Sequence, residues 1–461
     1  MRALLSLAIG SFGIGMTEFV VMGLLPNIAR ELVPGAWAAS PDDAIAQAGW
    51  LISLYALGVV VGAPTIAGSV ARFPRHRVMI VLAAALAFFT LLTVIAPTFE
   101  LVAASRFLAG LPHGAYFGIG ALVAADALGP GNRAKGVAFV LTGLTIANVV
   151  GVPLGTLLGQ QVGWRAAFAV VTGIFLLATI CIALFVPKHP GSPGRRLRDE
   201  LRVFRIGQVW LALGIGAIGF GGFFAMYSYI APMITGVAGQ PEWTVSLVLV
   251  LVGIGMTIGN IVGGALADKD LRFWLFTGLI ALGAASVGLA LTAGWIVSLV
   301  LFAFLVAFCG SALSPAIQTR LMDVAEDNQS IAAALNHSAL NIGNSLGAFL
   351  GGLAIAAGLG LVAPAWVGAV LAAGGLVVAI VAYRVEDRSG RHPDHRIDPD
   401  AALTRSGGRG RTGPSRPGGH RPSLSVQNTP CRERCVRRFL DIRALSRGDG
   451  ATSGVRGPGS G

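Results

Sequence analysis

Runs of about twenty apolar residues recur along most of this chain, and that recurrence restricts the fold more than anything else in the sequence. A run of that length lets a helix cross the hydrocarbon core of a bilayer. Barrel strands need only about ten alternating residues, whereas these runs are continuous and twice as long. Twelve spans are expected, over 4–26, 47–67, 78–97, 101–125, 136–159, 165–187, 208–232, 244–266, 273–292, 295–319, 330–357 and 364–384. Only 12% of the 461 residues are charged, where a soluble domain would carry about a quarter. The expected fold class is an all-α polytopic membrane protein with twelve transmembrane helices in two six-helix pseudo-repeats, and its first partner is the lipid bilayer. The first run is too long for a cleaved signal peptide and contains a Glu.

The basic, Pro- and Gly-opened segment KHPGSPGRRLRDELRVFR divides the spans six and six. Four units follow: an N-terminal half over 1–187, a linker over 188–207, a C-terminal half over 208–385 and a tail over 386–461. An internal repeat supports the division. GSVAR at Gly68 and GALAD at Gly264 are 196 residues apart, as are NVVGVPLG at Asn148 and NSLGAFLG at Asn344, and Gly114 and Gly310. Pro26 and Pro232 are 206 apart, the ten extra residues belonging to the first loop. A repeated six-helix half is a transporter architecture.

The net charge of +12 does not point to nucleic acid, because fifteen Arg and eight acids of the tail supply more than half of it. The tail has no periodic apolar face and is expected to be disordered. Most of the remaining basic residues sit in alternate loops, among them Arg75, Arg77, Arg133, Lys135, Arg202, Lys269, Arg272 and Arg384, whereas the opposite loops hold only Arg30 and Arg165. That bias places both termini in the cytoplasm of a multi-pass plasma-membrane protein. Cys181 and Cys309 lie in apolar spans, where a small hydrophobe is their usual role. A metal site at Cys431 and Cys435 in the tail would need two further ligands.

Against this apolar ground, GIGMTEFVVMGLLP in the first span contains one carboxylate, Glu18. An ionisable group at mid-membrane is costly and normally faces a bundle interior or a wet cavity. A carboxyl that alternates between such surroundings can take up and release a proton, and can attract a cationic substrate. The 206 offset places Phe224 opposite Glu18 in the repeat, so pseudo-symmetric architecture does not account for the acid. The plainer alternative is a protonated Glu hydrogen-bonded between helices. In SRFLAGLPHGAYFG, Arg106 either snorkels to the nearby interface or sits beside Glu18. His113, on the same helix face, is either a proton relay or a satisfied interhelical histidine. Tyr55, Tyr116, Tyr227, Asn148 and Asn341 are candidate lining groups for a small-molecule substrate, and Asn148, Asn341 and Asn344 can equally tie helices together. Glycines four apart in the fourth, fifth, eighth and eleventh spans are a helix-packing signal, and Pro153 should bend the fifth. No GxxxxGK[ST] or HExxH occurs, so ATP-driven transport has no support and membrane enzymology has little.

These residues resemble the major facilitator superfamily over 1–385, and within it the twelve-span drug:proton antiporter branch, near arabinose-efflux-permease-like and chloramphenicol-exporter-like members. TEFVVMGLLP, SRFLAGLPHGAYFG, NVVGVPLG with GWRAAF, and GGALAD carry the likeness. The resemblance implies an alternating-access exporter without cofactor, expected to act as a monomer on a drug-like compound or sugar in exchange for protons. It implies proton handling for Glu18 and Arg106, an antiporter motif for Gly151, Pro153 and Gly155, and a conformational loop motif for Gly264, Leu266, Ala267, Asp268 and Lys269. The first-half copy of that loop has Arg72 where the family pattern has an acid, and the fifth span reads GVPLG rather than GPxxGG. A passive facilitator, with Glu18 only orienting substrate, is the alternative.

Overall fold

A computed structural model describes residues 1–70, 73–128, 133–188, 205–325 and 329–389. Most of the expected linker, the tail after Ser389 with Cys431 and Cys435, the side chain of Asp126, and Arg72 lie outside the described residues. Twelve helices are long and apolar enough to cross a bilayer: Arg2–Leu32, Pro41–Ile66, Arg75–Ile95, Phe99–Ala124, Ala138–Val162, Trp164–Phe185, Gly207–Tyr227, Trp243–Ala267, Leu271–Thr292, Ile296–Val324, Leu335–Leu359 and Ala363–Arg388. They are called spans 1 to 12. The face carrying Met1 and the end of span 12 is the terminal face; the other is the opposite face.

Each half is built around close helix pairs, and the repeat offsets reappear as contacts. Gly15 of span 1 lies against Ala147 of span 5, and Gly221 of span 7 against Gly343 of span 11. Those positions are related by the 206 and 196 offsets read from the sequence. Spans 2 and 4 press backbone on backbone, with Gly58 at the Phe107 carbonyl and Gly62 at the Leu111 carbonyl. Spans 8 and 10 repeat this at Gly255 with Phe304 and Gly259 with Phe308. In lipid, where apolar burial drives little helix association, such small-residue seams set the spacing. Gly114 and Gly310 do not share a role: Gly114 packs on Ala63, whereas Gly310 packs on Phe223. In the span 2–4 and 8–10 seams the structural offset is 197, so the counterpart of Gly114 is Ser311.

Two expectations about helix geometry are refined. Around Pro153 the structure has a wide turn at Ala147–Gly151, closed by the Val152 N–H on the Ala147 carbonyl. Proline removes a donor one turn along, and a π-type turn is one way of accommodating that. Span 10 continues past the apolar run to Val324, which carries Arg320 into the bundle at 4% exposure. Arg320 is tolerated because Glu386 pairs with it at 2.7 Å, Gln208 accepts from it at 3.1 Å, and its guanidinium lies 4.5 Å from the Tyr383 ring centroid.

The halves touch at several depths. Near the opposite face, Glu242 accepts from Asn27 at 3.2 Å, and its backbone carbonyl accepts from Gln160 at 2.9 Å. Arg30 approaches the same carboxylate at 3.6 Å. A cavity of about 240 Å3 lies beside these groups, lined also by Trp37 and Thr235. Deeper, Ser53 and Ser345 each donate to the other's backbone carbonyl, at 3.2 and 3.0 Å. Towards the terminal face, Phe117 stacks on His337 with ring centroids 5.5 Å apart.

Candidate transport site

Glu18 stands mid-way along span 1 and is 7% exposed. Its Oε1 accepts a hydrogen bond from Asn344 Nδ2 of span 11 at 2.9 Å. The next residue, Phe19, stacks on Phe224 of span 7 at 6.3 Å and leans on Tyr227 at 5.6 Å. The carboxyl therefore sits where span 1 of one half meets spans 7 and 11 of the other. The residue that replaces it in the repeat, Phe224, is the one on which its chain neighbour Phe19 stacks.

Arg106 is 1% exposed. It does not snorkel: its guanidinium turns into the bundle, where Nη1 donates to Thr17 Oγ1 at 3.0 Å. Cζ lies 4.1 Å from the Tyr55 ring centroid and 5.5 Å from that of Phe168. A buried guanidinium needs compensation, and aromatic faces supply part of it, about 2 kcal/mol each when water is excluded. Nε and Nη2 find no hydrogen-bond partner among the described residues. Arg106 is within electrostatic reach of Glu18, with Thr17, the chain neighbour of that acid, as the direct contact.

From Arg106 the contacts run onward. Tyr55 Oη and His113 Nδ1 are 3.1 Å apart. His113 meets Phe117 edge-on at 5.3 Å, and Phe117 stacks on His337 of the second half. Glu18, Arg106, Tyr55 and His113 thus form one cluster, ending on a ring stack that crosses between the halves.

The remaining predicted groups divide. Tyr227 and Asn148 are buried, with the Tyr227 hydroxyl and Asn148 Oδ1 unpartnered among the described residues. Tyr116 is committed to packing: its hydroxyl donates to the Leu7 carbonyl at 3.0 Å, and its ring fills the space over Gly10. Asn341 donates to the His337 carbonyl of its own helix at 2.9 Å. Gly151 and Gly155 seat Phe12, Met16 and Val20 of span 1. Gly264 has open space around it, and Asp268 and Lys269 are exposed at the end of span 8. The cap of span 9 is Asp270, which accepts from the Phe273 N–H at 2.9 Å. Thr17, Phe168 and the pairing of Asn344 with Glu18 were not anticipated. The repeat held a signal for the last, since it set Asn344 in register with Asn148.

The sequence profile of the Major Facilitator Superfamily matches residues 7–269 and 239–439. The chain belongs to this superfamily. It is 36% identical over 385 residues to the inner membrane transport protein YdhP of Escherichia coli K12, covering 83% of this chain and 96% of that one. It is 32% identical over 360 residues to the putative transporter AraJ of the same organism, covering 78% and 89%. A chloramphenicol resistance protein of Streptomyces lividans is 30% identical over 378 residues, covering 81% and 94%. Among solved structures, a D-xylose–proton symporter shares the fold with a TM-score of 0.67 at 15% identity, over 83% of this chain and 97% of that one. The superfamily member described here is a multi-pass plasma-membrane transporter of small solutes.

Proposed function

We propose that this transporter exports a small organic molecule in exchange for protons by alternating access, with both termini in the cytoplasm. The observation that carries the reading is the buried carboxyl of Glu18 on the seam between the halves, within electrostatic reach of a buried guanidinium. An isolated acid held there is expensive, and a seam that opens first to one side and then to the other gives it access to water from each in turn. Proton binding and substrate binding then compete for one group, which is the minimum requirement for exchange. Arg106, on Thr17, supplies the fixed positive charge that makes a vacated carboxylate tolerable. His113 extends the polar cluster towards the terminal face. The basic residues of alternate loops favour the cytoplasmic placement of the termini. The likeness to a chloramphenicol resistance protein makes chloramphenicol a first probe among candidate drug-like substrates.

The test is uptake of radiolabelled chloramphenicol and a compound panel into everted vesicles, with and without an imposed pH gradient. Gradient-driven uptake is expected, and Glu18→Gln is expected to abolish it while leaving substrate exchange intact. Full gradient-driven uptake by that variant would remove Glu18 from the mechanism, and net flux indifferent to a protonophore would make the protein a passive facilitator.

A further inference from the structure

Asn344 lies on span 11 at 1% exposure, and its side-chain Nδ2 reaches across the seam to Glu18 Oε1 at 2.9 Å. Among the described residues it is the one side chain that hydrogen-bonds this carboxyl, and its own Oδ1 has no partner there. Its repeat counterpart Asn148 is also buried with an unpartnered Oδ1, but faces no acid, because Phe224 stands where the second half would carry one. We infer that Asn344 is a positioning residue, the arm through which the protonation state of Glu18 acts on the separation of the two halves. This rests on the proposed proton handling by Glu18 and adds to it a mechanical link.

An amide suits that part because it carries both donors and an acceptor. The ionised carboxylate accepts from the NH2 group. The protonated carboxyl donates to the carbonyl once the amide turns over. The pair is therefore satisfied in both states, but the charge-assisted bond is roughly twice as strong as the neutral one. Ionised Glu18 holds span 11 against span 1 more firmly than protonated Glu18 does, so loading a proton loosens the seam. The other titratable or charged groups near the carboxyl are Arg106 of span 4, Tyr55 of span 2 and Tyr227 of span 7. Of these, Arg106 and Tyr55 belong to the same half as Glu18 and move with it, and Tyr227 has no hydrogen-bond partner among the described residues. Asn344 is the polar contact of this carboxyl with the other half, made and broken as the halves rock alongside the Ser53–Ser345 and Glu242 contacts.

The experiment needs no substrate. In a cysteine-free full-length background, spin labels replace Glu100 and Trp295, both exposed at the opposite-face ends of the first and second halves. Their distance distribution is measured by pulsed electron resonance in nanodiscs between pH 5.5 and 8.5. The wild type is expected to shift its distribution across that range. Asn344→Leu should remove at least four-fifths of the shift, and Asn344→Gln, which keeps the amide, should restore at least half. Asn344→Ala serves the same reading should the Leu variant not fold. A shift in Asn344→Leu or Asn344→Ala equal to wild type, with Glu18→Gln pH-insensitive, would overturn the inference alone. An undiminished shift in Glu18→Gln, or no shift in the wild type, would overturn the underlying proton reading as well.

Discussion

The two halves of this transporter share a packing plan and differ in chemistry, and the difference locates the site. Spans 2 and 4 meet through Gly58 and Gly62 as spans 8 and 10 meet through Gly255 and Gly259. At the same offsets, Tyr55 becomes Val252, Arg106 becomes Ala303, His113 becomes Gly310 and Glu18 becomes Phe224. The first half builds a polar cluster on this frame, and the second answers with an aromatic and aliphatic wall in which Phe223, Phe224 and Tyr227 pack ring against ring. Inter-half polarity at the site enters through Asn344. The second half keeps its own ion pair, buried Arg320 with partly buried Glu386, near the terminal face. A helix-packing frame thus constrains only where small residues must stand. What occupies the facing positions is left to function.

The comparison can be broken most forcefully by moving the charge. Ala303→Arg puts a guanidinium at the mirror of Arg106 without the aromatic faces or Thr17 of the first half. An uncompensated buried charge costs about 3–5 kcal/mol, so little monodisperse protein is expected by fluorescence-detected size-exclusion chromatography. Arg106→Leu, by contrast, should elute as wild type and lose transport. Equal yields from Ala303→Arg and wild type would show that the second half is not the apolar mirror described.

The shared frame is tested next. Gly58→Leu and Gly255→Leu drive a side chain into a backbone carbonyl across each seam, and overpacking of this kind costs about 1–3 kcal/mol. Similar falls in melting temperature are expected from the two. A large fall for one and none for the other would mean that only one seam is tight.

Smaller effects sharpen the polar cluster. Tyr55→Phe keeps the ring under Arg106 and removes the contact to His113. The expected stability loss is about 1 kcal/mol by thermal melting, while Tyr55→Ala, which also strips the cation–π face, should lose more. Equal losses would assign no value to the ring. Smallest of all is Arg30→Gln near the opposite face. Its pairing with Glu242 at 3.6 Å is between half-exposed side chains, and such pairs contribute about 0–1 kcal/mol. A melting-temperature change outside error that persists at high salt would contradict that assignment.

Much of this was legible in the sequence. The membrane crossings follow from length and apolarity alone, since only helices and closed barrels satisfy the backbone in lipid and these runs are too long and continuous for barrel strands. Glu18 stood out because an acid is conspicuous in such a run. The offsets of 206 and 196 supported the division into halves, and they relate the contact of Gly15 with Ala147 to that of Gly221 with Gly343. The 197 register of the seams was missed, because a single-residue difference does not disturb a match between short motifs. The direction taken by Arg106 was left open, because a long side chain near a helix end can reach either water or the bundle.

What the sequence determined by itself is the number of spans, their pairing into halves and the identity of the acid mid-way along the first span. These depend on local composition and spacing, which hydrocarbon filters severely. Tertiary structure alone decided that Asn344 rather than Asn148 meets that acid, that Tyr116 is spent on packing against Leu7, and that Arg106 lies between Tyr55 and Phe168. Each of these outcomes depends on the rotation of one helix about its axis relative to another. That rotation is set by many small contacts made simultaneously across the bundle, and no stretch of sequence carries it.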